Sequence, residues 1–156
     1  MLNLRIRIAT PDDVHVIADF NCCLAIETEN RTLDRATVER GVRRGLQHQP
    51  EVQYWLAEVD QGVVGQLMLT REWSDWRDGW MYWLQSVYVQ AEHRSQGVFR
   101  QLFQYVTKSL RNDPDVRCLR LYVEAENQIA QAAYEKLGFT SPGYHVMELA
   151  HERLTS

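Results

Sequence analysis

The sequence predicts an α/β domain of the mixed, α+β kind, with its elements in the order β-α-α-β-β-β-α-β-α-β. Three observations carry that class. Short apolar runs of strand length recur along the chain, three of them in succession between residues 52 and 89. Other stretches repeat apolar residues at spacings of three and four, as amphipathic helices do. Tight-turn sequences, Asp60-Gln61-Gly62 and Asp78-Gly79, join the middle strands into hairpins. Pattern alone goes no further than this class.

Each element has its own warrant. Leu2 to Ile8 alternates apolar and polar residues, as a half-buried strand does. Thr10-Pro11-Asp12-Asp13 then starts a helix, with a hydroxyl cap and proline in the first turn. Val14, Ile17, Ala18, Asn21 and Leu24 trace one face of it, and it ends near Glu29. A second helix, Asp34 to Gln47, repeats Val38, Val42 and Leu46, and Pro50 closes it. Its Gly41 and Gly45 weaken the helix or let a neighbour pack closely. Strands follow at Val52 to Val59, Val63 to Glu72 and Trp80 to Val89. Gly97 opens a helix whose stripe runs through Val98, Leu102, Val106 and Leu110, widened by Phe99 and Phe103. A strand from Val116 to Val123 leads to a helix capped by Asn127 and terminated at Gly138. A last strand is expected from Tyr144 to Leu149.

Composition bounds the function. The 156 residues suit a single domain, 1–156, long enough to bury a full core unaided. A formal net charge of −4 argues against nucleic acid or an anionic membrane as the partner, so a polyanionic ligand needs local donors. Cys22 and Cys23 are adjacent and Cys118 is distant, so no disulfide framework is visible, and Cys22 and Cys118 read as small core residues. The five histidines show no metal-binding spacing, and no metal is expected. No leader is read ahead of Thr10-Pro11, and the apolar run Trp80 to Val89 is too short to cross a bilayer as a helix. A reduced, cytoplasmic setting is the expectation.

The turn between Val89 and Val98 is the most informative segment. A strand that feeds a glycine-started helix aims unpaired backbone N–H groups at one point, and the helix dipole adds positive charge there. That is an anion site suited to phosphate. Neither G-x-x-x-x-G-K-[ST] nor G-x-G-x-x-G is present. The residues that stand there, Arg94-x-x-Gly97-x-Phe99, resemble the pyrophosphate loop of the GNAT superfamily of N-acetyltransferases, which reads Gln/Arg-x-x-Gly-x-Gly/Ala in most members. A second segment, Asn127-Gln-Ile-Ala130-Gln-Ala-Ala-Tyr134-Glu-Lys-Leu-Gly138-Phe139, resembles the N-x-x-A-x-x-x-Y-x-x-x-G-F helix of that family. The two in order make the resemblance specific, and with a weaker amino-terminal match it covers nearly the whole chain.

The resemblance implies the topology, a mixed central sheet with helices on both faces, and a substrate, acetyl-CoA, lying where the fourth and fifth strands splay. The backbones of Val87 and Val89 would pair with the pantetheine arm. N–H groups of Gln96, Gly97, Val98, Phe99 and Arg100 would hold the pyrophosphate, with the Arg94 and Arg100 side chains adding charge. Phe99 departs from the small residue of the motif and must turn away from the phosphates. Asn127 would touch the cofactor as well as cap its helix. Tyr134 would be the general acid that protonates the leaving thiolate. A backbone N–H at Val87 would support the oxyanion.

The general base is not fixed by the motif. Histone-type members carry a glutamate on the fourth strand, where this chain has Trp83. Glu72, Glu29 and Glu27 are the remaining candidates, Gln85 can orient a water, and an ordered water needs no particular residue. Trp73, Trp76, Trp80 and Trp83 cluster around one hairpin, either as packing or as an aromatic wall for a cationic amine. The expectation is an N-acetyltransferase that moves acetyl from acetyl-CoA to a primary amine of a small molecule by direct attack in a ternary complex. The alternative is a non-catalytic acyl-CoA-binding sensor or assembly subunit of the same fold. A homodimer is left open.

Overall fold

A computed structural model describes residues 2–154, and these divide into two units, residues up to Tyr122 and residues from Val123 onward. The first unit is built on a five-stranded sheet in the order β1-β2-β3-β4-β5. Its strands are β1 (Arg5–Ile8), β2 (Val52–Val59), β3 (Gly62–Ser74), β4 (Gly79–Val89) and β5 (Val116–Leu121). Successive pairs are antiparallel except β4 and β5, which run parallel, so the sheet is mixed as expected.

Helices α1 (Val14–Glu29) and α2 (Arg35–Gly45) pack on one face and α3 (Val98–Arg111) on the other. Ile17, Val42, Tyr54 and Leu56 make the core under α1 and α2. Leu67, Leu69, Tyr82 and Leu84 meet Val98, Leu102 and Val106 of α3 on the opposite face. Each large apolar side chain fully removed from water there contributes about 1.5–3 kcal/mol. The caps follow from composition. The Asp13 carboxylate accepts the Thr10 N–H at 2.7 Å and Asp34 accepts the Thr37 N–H at 2.9 Å, each satisfying a donor at the start of a helical segment. The Asp13 carboxylate also takes two bonds from Arg7, which hold its pKa below the ordinary carboxylate range.

The second unit contains one helix of length, α4 (Gln128–Lys136). The Asn127 side chain accepts the Ala130 N–H at 3.0 Å, and Gly138 follows with φ +96°. The Tyr134 ring meets Phe139 edge-on at 5.7 Å.

Two expectations are corrected. Residues 144–149 form no strand among the described residues. The alternation itself slips, because Val146 and Met147 are adjacent apolar residues. Cys22 and Cys118 are half-buried rather than core, with Cys118 Sγ 3.5 Å from an Arg77 N–H donor.

Candidate active site

β4 and β5 part company early. Their pairing runs from Trp80–Val116 to Leu84–Leu121, whereas β4 continues to Val89. Gln85 to Val89 therefore lie beyond the end of the β4–β5 ladder, and Val87 and Val89 are among them. Beyond Val89 a 3-10 turn, Ala91–His93, brings the chain to Gly97 at the head of α3.

Gly97 has φ +82°, a left-handed conformation that a side chain disfavours. A Cβ built there meets nothing within 4 Å, so the protein itself does not fill the space in front of the helix. Gln101 N–H bonds Gly97 O at 3.0 Å and closes the first turn, leaving the N–H groups of Val98, Phe99 and Arg100 as the orphan donors of a helix start. Val98 is buried at 1% exposure and anchors the turn in the core. Phe99 lies against Phe103, ring centroids 5.6 Å apart, and is also among the residues that line the cleft at this turn. Gln96 folds back to donate to Glu92 O at 2.7 Å. Around this turn is a cleft of ≈ 260 Å³ that includes His93, Arg94, Ser95 and Arg100.

Arg94 braces the turn. Its Nε donates to Val89 O at 2.9 Å, and its Nη2 meets Glu27 Oε2 at 2.5 Å. Glu27 also accepts the Tyr88 hydroxyl at 2.9 Å. Arg94, and then Tyr88, hold the Glu27 pKa below the ordinary glutamate value. Burial, followed by the bond to Glu27, pushes the Tyr88 phenol up to about 12. A carboxylate stabilised in this way is a weak proton acceptor at neutral pH.

A larger cavity, ≈ 560 Å³, opens between α1, α2 and β4. Leu24, Val38, Val42 and Leu84 give it apolar walls, while Asn21, Glu29, Tyr54, Gln85, Ser86 and Tyr122 bring polar groups. Glu29 is its one carboxylate. Glu72 lies elsewhere, accepting the Trp83 indole N–H at 3.1 Å with Arg120 at 4.0 Å. Of the three expected carboxylates, only Glu29 faces the cavity.

The tryptophan cluster splits between the faces of the hairpin, as a period of two requires of Trp80 and Trp83. Trp73 and Trp80 meet edge-on at 5.0 Å, and the Arg71 guanidinium lies 3.9 Å from the Trp80 ring centre. Trp83 stacks on Tyr122 at 4.5 Å, behind the cavity wall. Trp76 is 93% exposed. The aromatic wall is therefore Tyr122 backed by Trp83 rather than four indoles.

The family model for the acetyltransferase (GNAT) family matches residues 17–139, which include the parted strands, the Gly97 turn and the Asn127 helix. The chain belongs to the GNAT family. An N-alpha-acetyltransferase of Saccharolobus solfataricus is 34% identical over 95 residues, 55% of this chain and 55% of that protein. The chain thus matches about half the length of that curated relative. The crystal structure of a possible acetyltransferase from Clostridium difficile 630 is 41% identical, with a TM-score of 0.89 over 94% of this chain and 97% of that one. The crystal structure of a predicted acetyltransferase with acetyl-CoA from Clostridium acetobutylicum shares the fold at 13% identity, with a TM-score of 0.75 over 96% and 97% of the two chains.

In this GNAT protein Asn127 and Tyr134 belong to the second unit. Burial raises the Tyr134 phenol above its ordinary value, which keeps it protonated at neutral pH. No cluster able to hold a metal ion exists among the described residues, and none of their helices is long and apolar enough to cross a membrane. Sequence reasoning missed Gln66, Ser86 and Tyr122. Gln66 carried a signal, a lone amide inside the apolar run Val63 to Leu69. Asn21, polar on the apolar stripe of α1, carried another.

Proposed function

We propose that this protein is an N-acetyltransferase that moves acetyl from acetyl-CoA to a primary amine of a small molecule, by direct attack in a ternary complex. The observation that carries the reading is the early parting of β4 from β5, leading straight into an open helix start at Gly97. The strand edge matches an extended amide-bearing arm, and the helix start matches a pyrophosphate.

The reaction then divides among the chain's own residues. Val98, Phe99 and Arg100 N–H groups bind the phosphates, with Arg94 bracing their turn. The backbone at Val87 and Val89 aligns the pantetheine arm. The amine enters the cavity between α1, α2 and β4, where the Glu29 carboxylate takes its proton directly or through a water. The free amine attacks the thioester carbon, the carbonyl oxygen gains charge beside the Val87 N–H, and the C–S bond breaks. Tyr134 gives its proton to the departing thiolate, and its phenolate takes up, directly or through a water, the second proton that the acylated nitrogen sheds to become the amide. A phenol is by about 1.5 units a weaker acid than a thiol, so this donation follows C–S cleavage rather than leading it.

The test is to incubate the purified protein with acetyl-CoA labelled in the acetyl group and a panel of primary amines, and to look for labelled amide by mass spectrometry. Labelled product with at least one amine is the expected result. Binding of acetyl-CoA without product from any amine across pH 6–10 would leave the sensor reading. Failure to bind CoA at all would remove both.

A further inference from the structure

We propose that Gln66 is a positioning residue: through the Ser86 carbonyl it aims the Val87 N–H into the opening where β4 leaves β5. The consequence for turnover rests on the acetyl-transfer reading above, whereas the orientation itself does not.

Gln66 lies on β3 and is fully buried, at 0% exposure. Its Nε2 donates to Ser86 O at 3.1 Å and to Asn21 Oδ1 at 2.8 Å. Its Oε1 is buried with no partner among the described residues. The amide cannot be turned round, because its oxygen would then face the Ser86 carbonyl, acceptor against acceptor. An orphaned amide oxygen is a standing cost that an apolar residue of the same length would avoid. Stability alone therefore does not select glutamine at this position.

What the glutamine holds is unusual backbone. Gln66 is opposite Tyr88 and Met68 is opposite Gln85, so the single residue Leu67 spans both Ser86 and Val87. That is a bulge in β4. Ser86 has φ +49°, the left-handed region that residues with a side chain seldom occupy. Such a conformation persists when its surroundings over-determine it, and the Gln66 bond supplies part of that hold.

The rest is peptide geometry. The Ser86 C=O and the Val87 N–H belong to one planar group and, in a trans bond, point in opposite directions. The described residues contain one cis bond, Gln49–Pro50, so Ser86–Val87 is trans. Fixing the oxygen toward the Gln66 amide, which also meets Asn21 of α1, fixes the N–H away from that amide, at a point of β4 beyond the last residue paired with β5. A donor held there in advance is what a carbonyl oxygen gaining negative charge requires. Asn21, on α1 and in the cavity wall, clamps the same amide from the other side.

The experiment uses the whole chain labelled with ¹⁵N. In the wild type, acetyl-CoA should move the Val87 amide proton downfield, and CoA without the acetyl group should move it much less. Gln66→Met, which keeps length and removes both donors, should abolish that difference. It should also lower kcat by about ten- to a hundredfold, with KM for acetyl-CoA within about threefold of wild type. A merely structural glutamine would lower the melting temperature without that split. An unchanged Val87 response in folded Gln66→Met, or wild-type kcat, overturns the proposal while acetyl transfer stands. If Gln66→Met does not fold, a wild-type Val87 amide that answers CoA and acetyl-CoA alike overturns it. If neither ligand moves any resonance of the wild type, it is the acetyl-transfer reading that falls. The aim of the Val87 N–H is then decided by whether its resonance differs between wild type and Gln66→Met without ligand.

Discussion

Arg94 and Glu27 meet at 2.5 Å, joining the turn ahead of α3 to the last turn of α1. The same guanidinium reaches Val89 O, so one side chain ties the turn to a helix on one face of the sheet and to the end of β4. The sequence presented Arg94 as a phosphate donor. The structure gives it a second task, holding the donors of the turn in place.

Glu27→Gln should therefore weaken acetyl-CoA binding by about two- to fivefold, the reach of an exposed ion pair acting through preorganisation. Calorimetry checks this, and equal or tighter binding would count against it. The pH dependence has a definite sign. The folded pKa of Glu27 is depressed, chiefly by Arg94, so the pair's contribution is present above the ordinary glutamate value and disappears as pH falls through the lower, folded one. Binding measured between pH 7 and pH 5 should show no loss from this pair.

Gly41 sits inside α2 on the wall of the larger cavity, and a Cβ there meets nothing within 4 Å. Gly41→Ala should raise stability by about 0.5–1 kcal/mol, through helix propensity and a less flexible unfolded chain. Gly41→Leu fills the cavity instead, and should raise KM for the amine while leaving KM for acetyl-CoA unchanged. Urea melts and two-substrate kinetics separate the two effects.

Gly79 behaves oppositely. A Cβ there would lie 2.5 Å from Asp115 O and 2.7 Å from Arg117 Nε. The neighbouring Trp80 N–H bonds that same Asp115 oxygen at 2.8 Å, at the point where β4 and β5 begin to pair. Gly79→Ala should destabilise the protein by about 1–3 kcal/mol, the usual cost of overpacking. A melting temperature equal to wild type would show that β5 can give way.

Tyr134→Phe should lower kcat by about ten- to ten-thousandfold with little change in acetyl-CoA affinity, and the ring's packing on Phe139 should survive. Burial raises the phenol pKa, so the wild-type acid keeps its proton past pH 10. The rate should climb with pH as the amine loses its proton, and fall only above pH 10. That alkaline fall should be missing in Tyr134→Phe. A wild-type rate in the variant would make Tyr134 a packing residue.

Much of this was legible in the chain. β2 falls on Val52–Val59 as read, α1 ends at Glu29, and Gly97 caps α3, because alternation, left-handed caps and glycine-opened helices are local signals. The Gln66–Ser86 bond was not legible. It depends on which residues face one another across β3 and β4, and a bulge shifts that register without marking the sequence. Glu27 and Arg94 are far apart in the chain, so their pairing follows from topology. The expected strand at 144–149 is not formed, and its alternation is broken where Val146 and Met147 stand side by side.

The stack of Trp83 on Tyr122 has a practical result. Tyr122 forms part of the cavity wall, so a guest that displaces its ring also changes what lies over the Trp83 indole. Indole emission responds to such a change in colour and intensity. Trp55, Trp73, Trp76 and Trp80 would add a background, and Trp76, at 93% exposure, supplies a red-shifted component that an external quencher removes first. With that component quenched, the protein carries its own optical gauge of occupancy, and amines can be screened by titration with no label and no acetyl donor present.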